Sequence, residues 1–161
     1  MQKMPSSSSM EQLHKVFVYG SLLAEEVVNV LLNRLPHSST ATLSGYDRFS
    51  IKHRVYPAIV PVASKEVSGK VLWDITDREL LILDEFEDFE YERESVPVTL
   101  TGEGEEAAEE EAYAYVWGKE EDPDLYGEWN YEEWRSAHLR EYLEMTAAFM
   151  AELDLPITTP Y

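Results

Sequence analysis

The segment 15–23, KVFVYGSLL, constrains the fold of this chain more than any other. Residues 16–19 are all β-branched or aromatic, which is typical of a buried strand, and Gly20 and Ser21 end it. Apolar residues then recur at three- and four-residue spacing over Glu25–Leu35. We therefore predict a buried strand that runs into a tight loop and then a helix.

The rest of the chain alternates strand-forming segments with two further helical ones. Glycines and prolines separate predicted strands over Ala41–Ser50, Val55–Val62, Val67–Asp74, Tyr91–Leu100 and Ala112–Trp117. The apolar spacing predicts a helix over Thr76–Glu87, where Thr76 and Glu79 have the capping-box arrangement. A long amphipathic helix over Asn130–Leu153 is expected to pack on the sheet through one apolar stripe, made of Trp134, Ala137, His138, Tyr142, Met145, Phe149 and Leu153.

The length and the segment order indicate one domain, which we place at residues 13–155. A polar, serine-rich flexible leader over 1–12 and an irregular, proline-containing tail over 156–161 flank it. The connection Thr101–Glu111 contains six glutamates, and such a charge run is most simply a solvated mobile loop between two paired strands.

Charge and composition exclude several classes of function. With 13 Lys and Arg against 32 Asp and Glu, the net charge of −19 would repel nucleic acids. The absence of cysteine removes thiolate nucleophiles and cysteine metal sites, and the four histidines lack zinc-ligand spacing, so we predict no metal and no cofactor. No apolar run approaches the ~20 residues that span a bilayer. We therefore expect a cytoplasmic protein that binds no membrane.

The VYGSLL turn is the first candidate functional site. A strand that ends in Gly20 and Ser21 and leads into a helix turns several backbone N–H groups outward, which suits a carboxylate or an oxyanion. The same pattern also occurs as an ordinary turn. The segment lacks the second glycine of a G-x-S-x-G elbow, so the pattern disfavours a serine hydrolase.

The segment LILDEFEDFEYER, residues 81–93, is the second candidate. Most of its carboxylates must face water. One that points inward beside Phe86 and Tyr91 would have a raised pKa, as a general base near neutral pH requires. The pattern alone does not choose among Asp84, Glu85, Glu87, Asp88, Glu90 and Glu92. Paired carboxylates are also compatible with a glycosidase, which the sequence supports only weakly.

Together these segments resemble the γ-glutamyl cyclotransferase-like superfamily, specifically its plant branch of avirulence-induced-gene-like proteins, which is close to the γ-glutamylamine cyclotransferases. The stretches that match are VFVYGSLL at 16–23, GYDRFSIKHRVYPAIVP at 45–61, VSGKVLWDIT at 67–76, LDEFEDFEYERESVPV at 83–98 and AYVW at 114–117. The resemblance implies an α+β fold, a small mixed β-barrel flanked by helices, with a pocket at one mouth of the barrel.

The resemblance also implies residue roles and an activity. It assigns Glu87 as the catalytic general acid and base, and assigns substrate binding to Tyr19, Gly20, Ser21 and Leu22. The implied reaction cyclises a γ-glutamyl amine or peptide to 5-oxoproline and releases the amine. The alternative is a binding or regulatory protein on the same fold that holds such a small molecule without turning it over.

The branch pattern and the charge also bear on the substrate and on weaker site candidates. The chain has YGSL where the classical γ-glutamyl cyclotransferases have YGSN, and its net charge of −19 favours a cationic over an anionic leaving group. Tyr56 and Tyr91 are candidates for the pocket wall, although core packing is favoured for both. Arg93 is expected to pair with an acidic neighbour. We expect a monomer.

Overall fold

The computed structural model describes residues 12–102 and 108–153. Apart from Gln12, the predicted leader lies outside these ranges, as does the predicted tail. The strands are β1 His14–Val18, β2 Ser38–Ile51, β3 Ala58–Ile75, β4 Tyr91–Leu100, β5 Ala108–Trp117 and β6 Leu125–Tyr126. The helices are α1 Glu25–Leu32, α2 Asp77–Glu87 and α3 Tyr131–Glu152, and a 3₁₀ turn over Ser21–Leu23 follows β1.

Five strands of the described chain close a barrel in the order β3–β1–β5–β4–β2, and β2 pairs with β3 to complete the ring. β1 runs parallel to β5, and the other neighbouring pairs are antiparallel. The short β6 adds to the far end of β2. The predicted fold class, α+β with a small mixed barrel flanked by helices, is confirmed.

The long β2–β3 hairpin corrects the predicted strand boundaries. Ser44 pairs with Glu66 and Tyr46 pairs with Pro61, so residues 62–65 of β3 lie opposite Gly45 alone. Gly45 has a φ of 86°, which favours glycine, and such bulges bend a sheet toward closure. The segments predicted as two strands, Val55–Val62 and Val67–Asp74, are therefore one irregular strand from Ala58 to Ile75, and the prediction was wrong for 55–57, which lie in the connection.

The barrel separates two layers of apolar side chains. Phe17 of β1 and Tyr19, the first residue beyond the strand, pack inside the barrel with Ile59 and Val98. Val16 packs outside the barrel against the helices. Because both faces of β1 are buried, its sequence is a continuous apolar run. The strand therefore ends at a fixed position where the barrel meets the helical layer.

Local backbone geometry sets the ends of the first two helices. α1 ends at Leu32, earlier than the predicted Leu35, because Asn33 adopts a left-handed φ of 57° and its N–H caps the carbonyl of Asn29 at 2.8 Å. α2 begins with the predicted capping box, in which the Thr76 hydroxyl accepts from the Glu79 N–H at 3.1 Å. The prediction for α2 is confirmed.

α3 and β5 depart from the predictions in detail. On α3 the buried residues are Trp134, Tyr142 and Thr146, whereas Met145, which the predicted stripe included, is 45% exposed. Ala108–Glu111 belong to β5, so the predicted loop was wrong for these residues, and 103–107 lie outside the described ranges. No described helix is long and apolar enough to cross a membrane.

Gly69 lies where β3 crosses β1 most closely. A Cβ atom there would stand 2.2 Å from the Val18 carbonyl oxygen and 2.8 Å from the Phe17 ring. We expect Gly69→Ala to lower the free energy of unfolding by about 2–3 kcal/mol in denaturant titration, because backbone must move. The exposed neighbour Ser68, changed to Ala, is the control and should lower it by less than about 0.5 kcal/mol. Equal effects would contradict the close approach.

Candidate functional site

A cavity of about 260 Å³ opens at the end of β1, between the barrel mouth and the ends of α2 and α3. The 3₁₀ turn, the β2–β3 connection and β5 complete its wall. All five residues assigned by sequence line this one cavity, namely Tyr19, Gly20, Ser21, Leu22 and Glu87. The two candidate segments, which residues 24–80 separate in sequence, thus meet at one site.

The turn after β1 presents unpaired backbone donors to the cavity. The N–H of Leu23 donates to the carbonyl of Gly20 at 2.9 Å, and the N–H of Ala24 donates to that of Ser21 at 3.1 Å. The amides of Gly20, Ser21 and Leu22 have no acceptor among the described residues. These three N–H groups are therefore available to an anionic group of a ligand.

Close packing on both sides fixes this turn. A Cβ atom on Gly20 would lie 2.8 Å from both Cγ and Cδ of Pro57, so the position has no room for a side chain. The Pro57 carbonyl accepts from the Tyr91 hydroxyl at 2.7 Å. On the other side, Nη1 of Arg48 donates to the Tyr19 carbonyl at 2.7 Å. The loop is held rather than free to rearrange.

Glu87 is the last residue of α2 and reaches the cavity from the side of the helices. The following residue, Asp88, ends the helix with φ 67° and ψ −173°, a conformation that costs a non-glycine residue about 1–3 kcal/mol. Burial raises the pKa of Glu87 from its ordinary 4.5 to about 8, and the nearby charge of Asp84 acts in the same direction. No described side chain donates a hydrogen bond to the carboxylate of Glu87, which leaves it free to exchange a proton with a ligand.

Asp84 is held one helical turn before Glu87. Its Oδ1 accepts from the Tyr115 hydroxyl at 2.7 Å, and its Oδ2 lies 3.3 Å from Nη1 of Arg93. The expectation that Arg93 pairs with an acidic neighbour is therefore met, and Arg93 does not line the cavity. Because both oxygens of Asp84 have partners, this carboxylate serves as a fixed charge next to Glu87.

Five tyrosines line the cavity together with Glu87. Burial, together with the charge of Glu87, raises the pKa of Tyr19, Tyr91, Tyr115, Tyr142 and Tyr56. These hydroxyls therefore stay protonated and act as hydrogen-bond donors near neutral pH. The hydroxyl of Tyr142 accepts from Ser21 Oγ at 3.0 Å, and its own proton has no acceptor in the described chain.

Sequence reasoning missed Tyr142, Tyr115 and Arg48. The helical spacing of α3 placed Tyr142 in an apolar stripe, and the alternation of β5 marked Tyr115 as an ordinary strand residue. Only the pairing of strands and helices in space brings the two tyrosines to the cavity wall and Arg48 to the Tyr19 carbonyl. No local signal in the sequence separates these tyrosines from the other core aromatics.

Tyr56 and Tyr91 both line the cavity and also pack on the hydrophobic core, so the predicted preference for core packing was only half right. At the cavity mouth, Arg54 donates to both oxygens of Glu90 at 2.5 and 2.7 Å and to the Tyr56 hydroxyl at 2.5 Å. Hydrogen bonding to Arg54 keeps the pKa of Glu90 below its ordinary value. Glu90 is thus neutralised by Arg54, unlike Glu87.

No group of three or more His, Asp or Glu side chains in 12–102 and 108–153 is arranged to hold a metal ion. The polar groups of the cavity are one carboxylate with a raised pKa, backbone N–H donors and tyrosine hydroxyls. This set can move a proton and hold an anion.

A family model described as gamma-glutamyl cyclotransferase, AIG2-like, matches residues 16–136. AIG2-like protein D of Arabidopsis thaliana is 57% identical over 144 residues, 89% of this chain and 93% of that protein. AIG2-like protein C of the same plant is 50% identical over 143 residues, which cover 89% and 81% of the two chains.

Solved structures share the fold. A solution structure of an Arabidopsis thaliana protein is 40% identical, with a TM-score of 0.67 over 94% of this chain and 100% of that one. A structure described as gamma-glutamyl cyclotransferase, 19% identical, has a TM-score of 0.59 over 92% and 93% of the two chains.

The raised pKa of Glu87 makes the stability depend on pH. The folded chain keeps this proton up to about pH 8, whereas the unfolded chain releases it near 4.5. Between these values the folded state binds more protons, so the free energy of unfolding falls as pH rises. We expect Glu87→Gln to equal the native chain at pH 5 and to exceed its free energy of unfolding by about 1–2 kcal/mol at pH 8.5.

Urea titrations at the two pH values measure this difference. Glu144→Gln, on the exposed face of α3, is the matched control and should equal the native chain at both. A difference between Glu87→Gln and the native chain that does not change with pH would show that the carboxyl is not desolvated in the fold.

Proposed function

The chain belongs to the gamma-glutamyl cyclotransferase, AIG2-like family, and we propose that it cyclises a γ-glutamyl amine or peptide to 5-oxoproline. The observation that carries the proposal is the meeting of Glu87, with its pKa near 8, and the free amides of Gly20–Leu22 on one cavity. Such a reaction needs a base for an ammonium group and donors for an anion. Both are present on this cavity wall.

In the proposed reaction Glu87 takes a proton from the α-ammonium group of the substrate. The neutral nitrogen then attacks the γ-carbonyl carbon, and a five-membered ring forms because the two groups belong to one molecule. The resulting oxyanion collapses, the bond from this carbon to the leaving nitrogen breaks, and Glu87 returns its proton to that nitrogen. The ring nitrogen then loses its second proton, which Glu87 accepts and passes to the released amine. The products are 5-oxoproline and a free amine, and Glu87 ends as it began.

The raised pKa suits both halves of this cycle. A carboxylate with an ordinary pKa of 4.5 is too weak a base to take a proton from an ammonium group near neutral pH. With a pKa of about 8, Glu87 is close in acidity to the group it must deprotonate. The bound ammonium group would itself lower this pKa, because opposite charges stabilise each other.

We assign the amides of Gly20, Ser21 and Leu22 to an anionic oxygen of the substrate, either the α-carboxylate or the developing oxyanion. The Tyr142 hydroxyl, whose proton has no acceptor in the described chain, supplies a further donor on the same wall. Loss of one such donor to an oxyanion typically costs about 2.7–4 kcal/mol of transition-state stabilisation.

The charges around the cavity support an amine rather than an amino acid or peptide as the leaving group. The charged residues on the cavity wall are all acidic, namely Glu85, Glu87, Asp88 and Glu90. A leaving group with its own carboxylate would find no unpaired cationic side chain on the described wall, because Arg54 at the cavity mouth is already paired with Glu90. We therefore propose γ-glutamylamines as the preferred substrates.

Release of 5-oxoproline from a panel of substrates tests the proposed reaction. We expect the native chain to release it from γ-glutamylamines whose leaving amine lacks a carboxylate faster than from γ-glutamyl-ε-lysine or glutathione, whose leaving groups each carry one. Glu87→Gln cannot accept the proton and should lower kcat by about 10²–10⁴-fold, because that is the typical contribution of general acid–base catalysis.

Two controls make this experiment decisive. Glu144→Gln, which makes the same change of charge on the exposed face of α3, should keep native activity. Circular dichroism should show that Glu87→Gln stays folded. Binding of γ-glutamyl compounds without any release of 5-oxoproline would instead favour the alternative of a non-catalytic binding protein.

The dependence of the rate on pH tests the role of Glu87 separately. Since the free enzyme must hold Glu87 as a carboxylate, we expect kcat/KM to rise with pH, to be half-maximal near pH 8 and to level above it. The rise of kcat should lie at lower pH, because the bound ammonium group stabilises the carboxylate.

Asp84→Asn removes the like charge next to Glu87 but leaves its burial unchanged. The rise of kcat/KM should therefore move to lower pH in this variant. A native profile that levels near pH 4.5, or one that Asp84→Asn leaves unmoved, would contradict the assignment of Glu87 as the titrating base.

A further inference from the structure

Arg48 is a partly buried cation with an unusual set of partners. Its Nη1 donates to two backbone carbonyls, that of Tyr19 at 2.7 Å and that of Ser68 at 3.3 Å. Its guanidinium lies 5.6 Å from the centre of the Trp129 ring. No carboxylate within the described ranges forms an ion pair with it. The neighbouring Asp47 acts on the guanidinium only from beyond ion-pair distance, because its Oδ1 accepts from the backbone N–H of Arg48.

Burying the Arg48 guanidinium without an ion pair costs free energy, and the contacts that it makes in the fold do not require a charged group. Taking a charge out of water is unfavourable, and burial lowers the pKa of Arg48 from its ordinary value. The guanidinium still stays charged at neutral pH. The two carbonyl oxygens that it contacts could be satisfied by a neutral donor. The positive charge therefore calls for another explanation.

Arg48 is connected to the cavity through the peptide group between Tyr19 and Gly20. The carbonyl of Tyr19 and the N–H of Gly20 belong to one planar peptide group and point in opposite directions. Arg48 holds the carbonyl end, and the N–H end has no acceptor in the described chain. A cation at the carbonyl end polarises the peptide and strengthens the hydrogen bond that its N–H can donate.

We propose that Arg48 is a positioning residue that acts through the Tyr19–Gly20 peptide to bind the α-carboxylate of the γ-glutamyl group. This inference rests on the proposed function and chooses between the two anionic oxygens left open above. The α-carboxylate carries a permanent charge, and every charged residue on the cavity wall is acidic. A substrate carboxylate therefore needs a cation nearby, and Arg48 provides it from behind the loop.

The carboxylate-binding role of Arg48 predicts that ligands with a carboxylate bind more tightly than matched ligands without one. The product 5-oxoproline carries the α-carboxylate, whereas 2-pyrrolidinone is the same ring without it. We expect the native chain to bind 5-oxoproline about tenfold or more tightly than 2-pyrrolidinone, and the Gly20 amide resonance to move with 5-oxoproline. Titration of the ¹⁵N-labelled full chain by NMR measures both.

Three variants separate the charge of Arg48 from its packing. Arg48→Met removes the charge at similar length, Arg48→Gln keeps a donor without charge, and Arg48→Lys keeps the charge. We expect the Met and Gln variants to lose the preference for 5-oxoproline and the Lys variant to retain part of it. Arg140→Met, an exposed change of equal charge on α3, should retain all of it.

Substrate binding in the activity assay should weaken together with the ligand preference. In Arg48→Gln the KM for a γ-glutamyl substrate should rise about tenfold, with kcat changed much less, because the carboxylate is bound before the reaction begins. A purely structural role would instead lower Tm and leave the ligand preference intact. We expect Tm to fall by less than about 5 °C.

The experiment distinguishes a failure of the Arg48 inference from a failure of the proposed catalytic function. A native chain without the carboxylate preference, or an Arg48→Gln variant that keeps it, overturns the inference. A native chain that shows the preference but releases no 5-oxoproline from any substrate leaves the Arg48 inference standing and overturns the catalytic proposal.

Discussion

Burial of β1 on both faces is the constraint on which the rest of the structure depends. The strand pairs with β3 and β5, packs Phe17 into the barrel and packs Val16 against the helices. It cannot slide by one residue without exchanging these two side chains between layers. The turn that follows β1 is therefore delivered to one place, where Pro57 and Arg48 hold it from opposite sides.

Local sequence patterns predicted the elements well where periodicity and capping act alone. The capping box of Thr76 and the alternation of β4 located α2 and Tyr91–Leu100 to the residue. The patterns failed where tertiary pairing decides. The irregular stretch 62–65 of β3 looked like a gap between strands, and Ala108–Glu111 looked like loop because glutamates disfavour strands in isolation. Pairing with β4 overrides that preference.

The functional site, too, was predictable from local patterns only in part. The Gly20–Leu22 turn and the acidic segment were visible as separate candidates, and the family resemblance singled out Glu87 within the second. Asp84 lies beside Glu87 because the two are one helical turn apart on α2. That Tyr115 and Arg93 both hold Asp84 follows from the pairing of β4 with β5 and is absent from any local pattern. The pKa of a carboxyl depends on such neighbours and on burial, so the sequence alone could not choose among six carboxylates.

Unfavourable features of this fold collect around the cavity. A carboxyl with a raised pKa at Glu87, a strained backbone at Asp88 and a cation without an ion pair at Arg48 each cost free energy. None of them is needed to close the barrel, whose interior is apolar. Substrate binding could offset two of these costs together, because an α-ammonium group pairs with Glu87 while an α-carboxylate meets the amide that Arg48 polarises. A γ-glutamyl group carries both charges on one carbon atom, so a single ligand of this class would offset both costs at once.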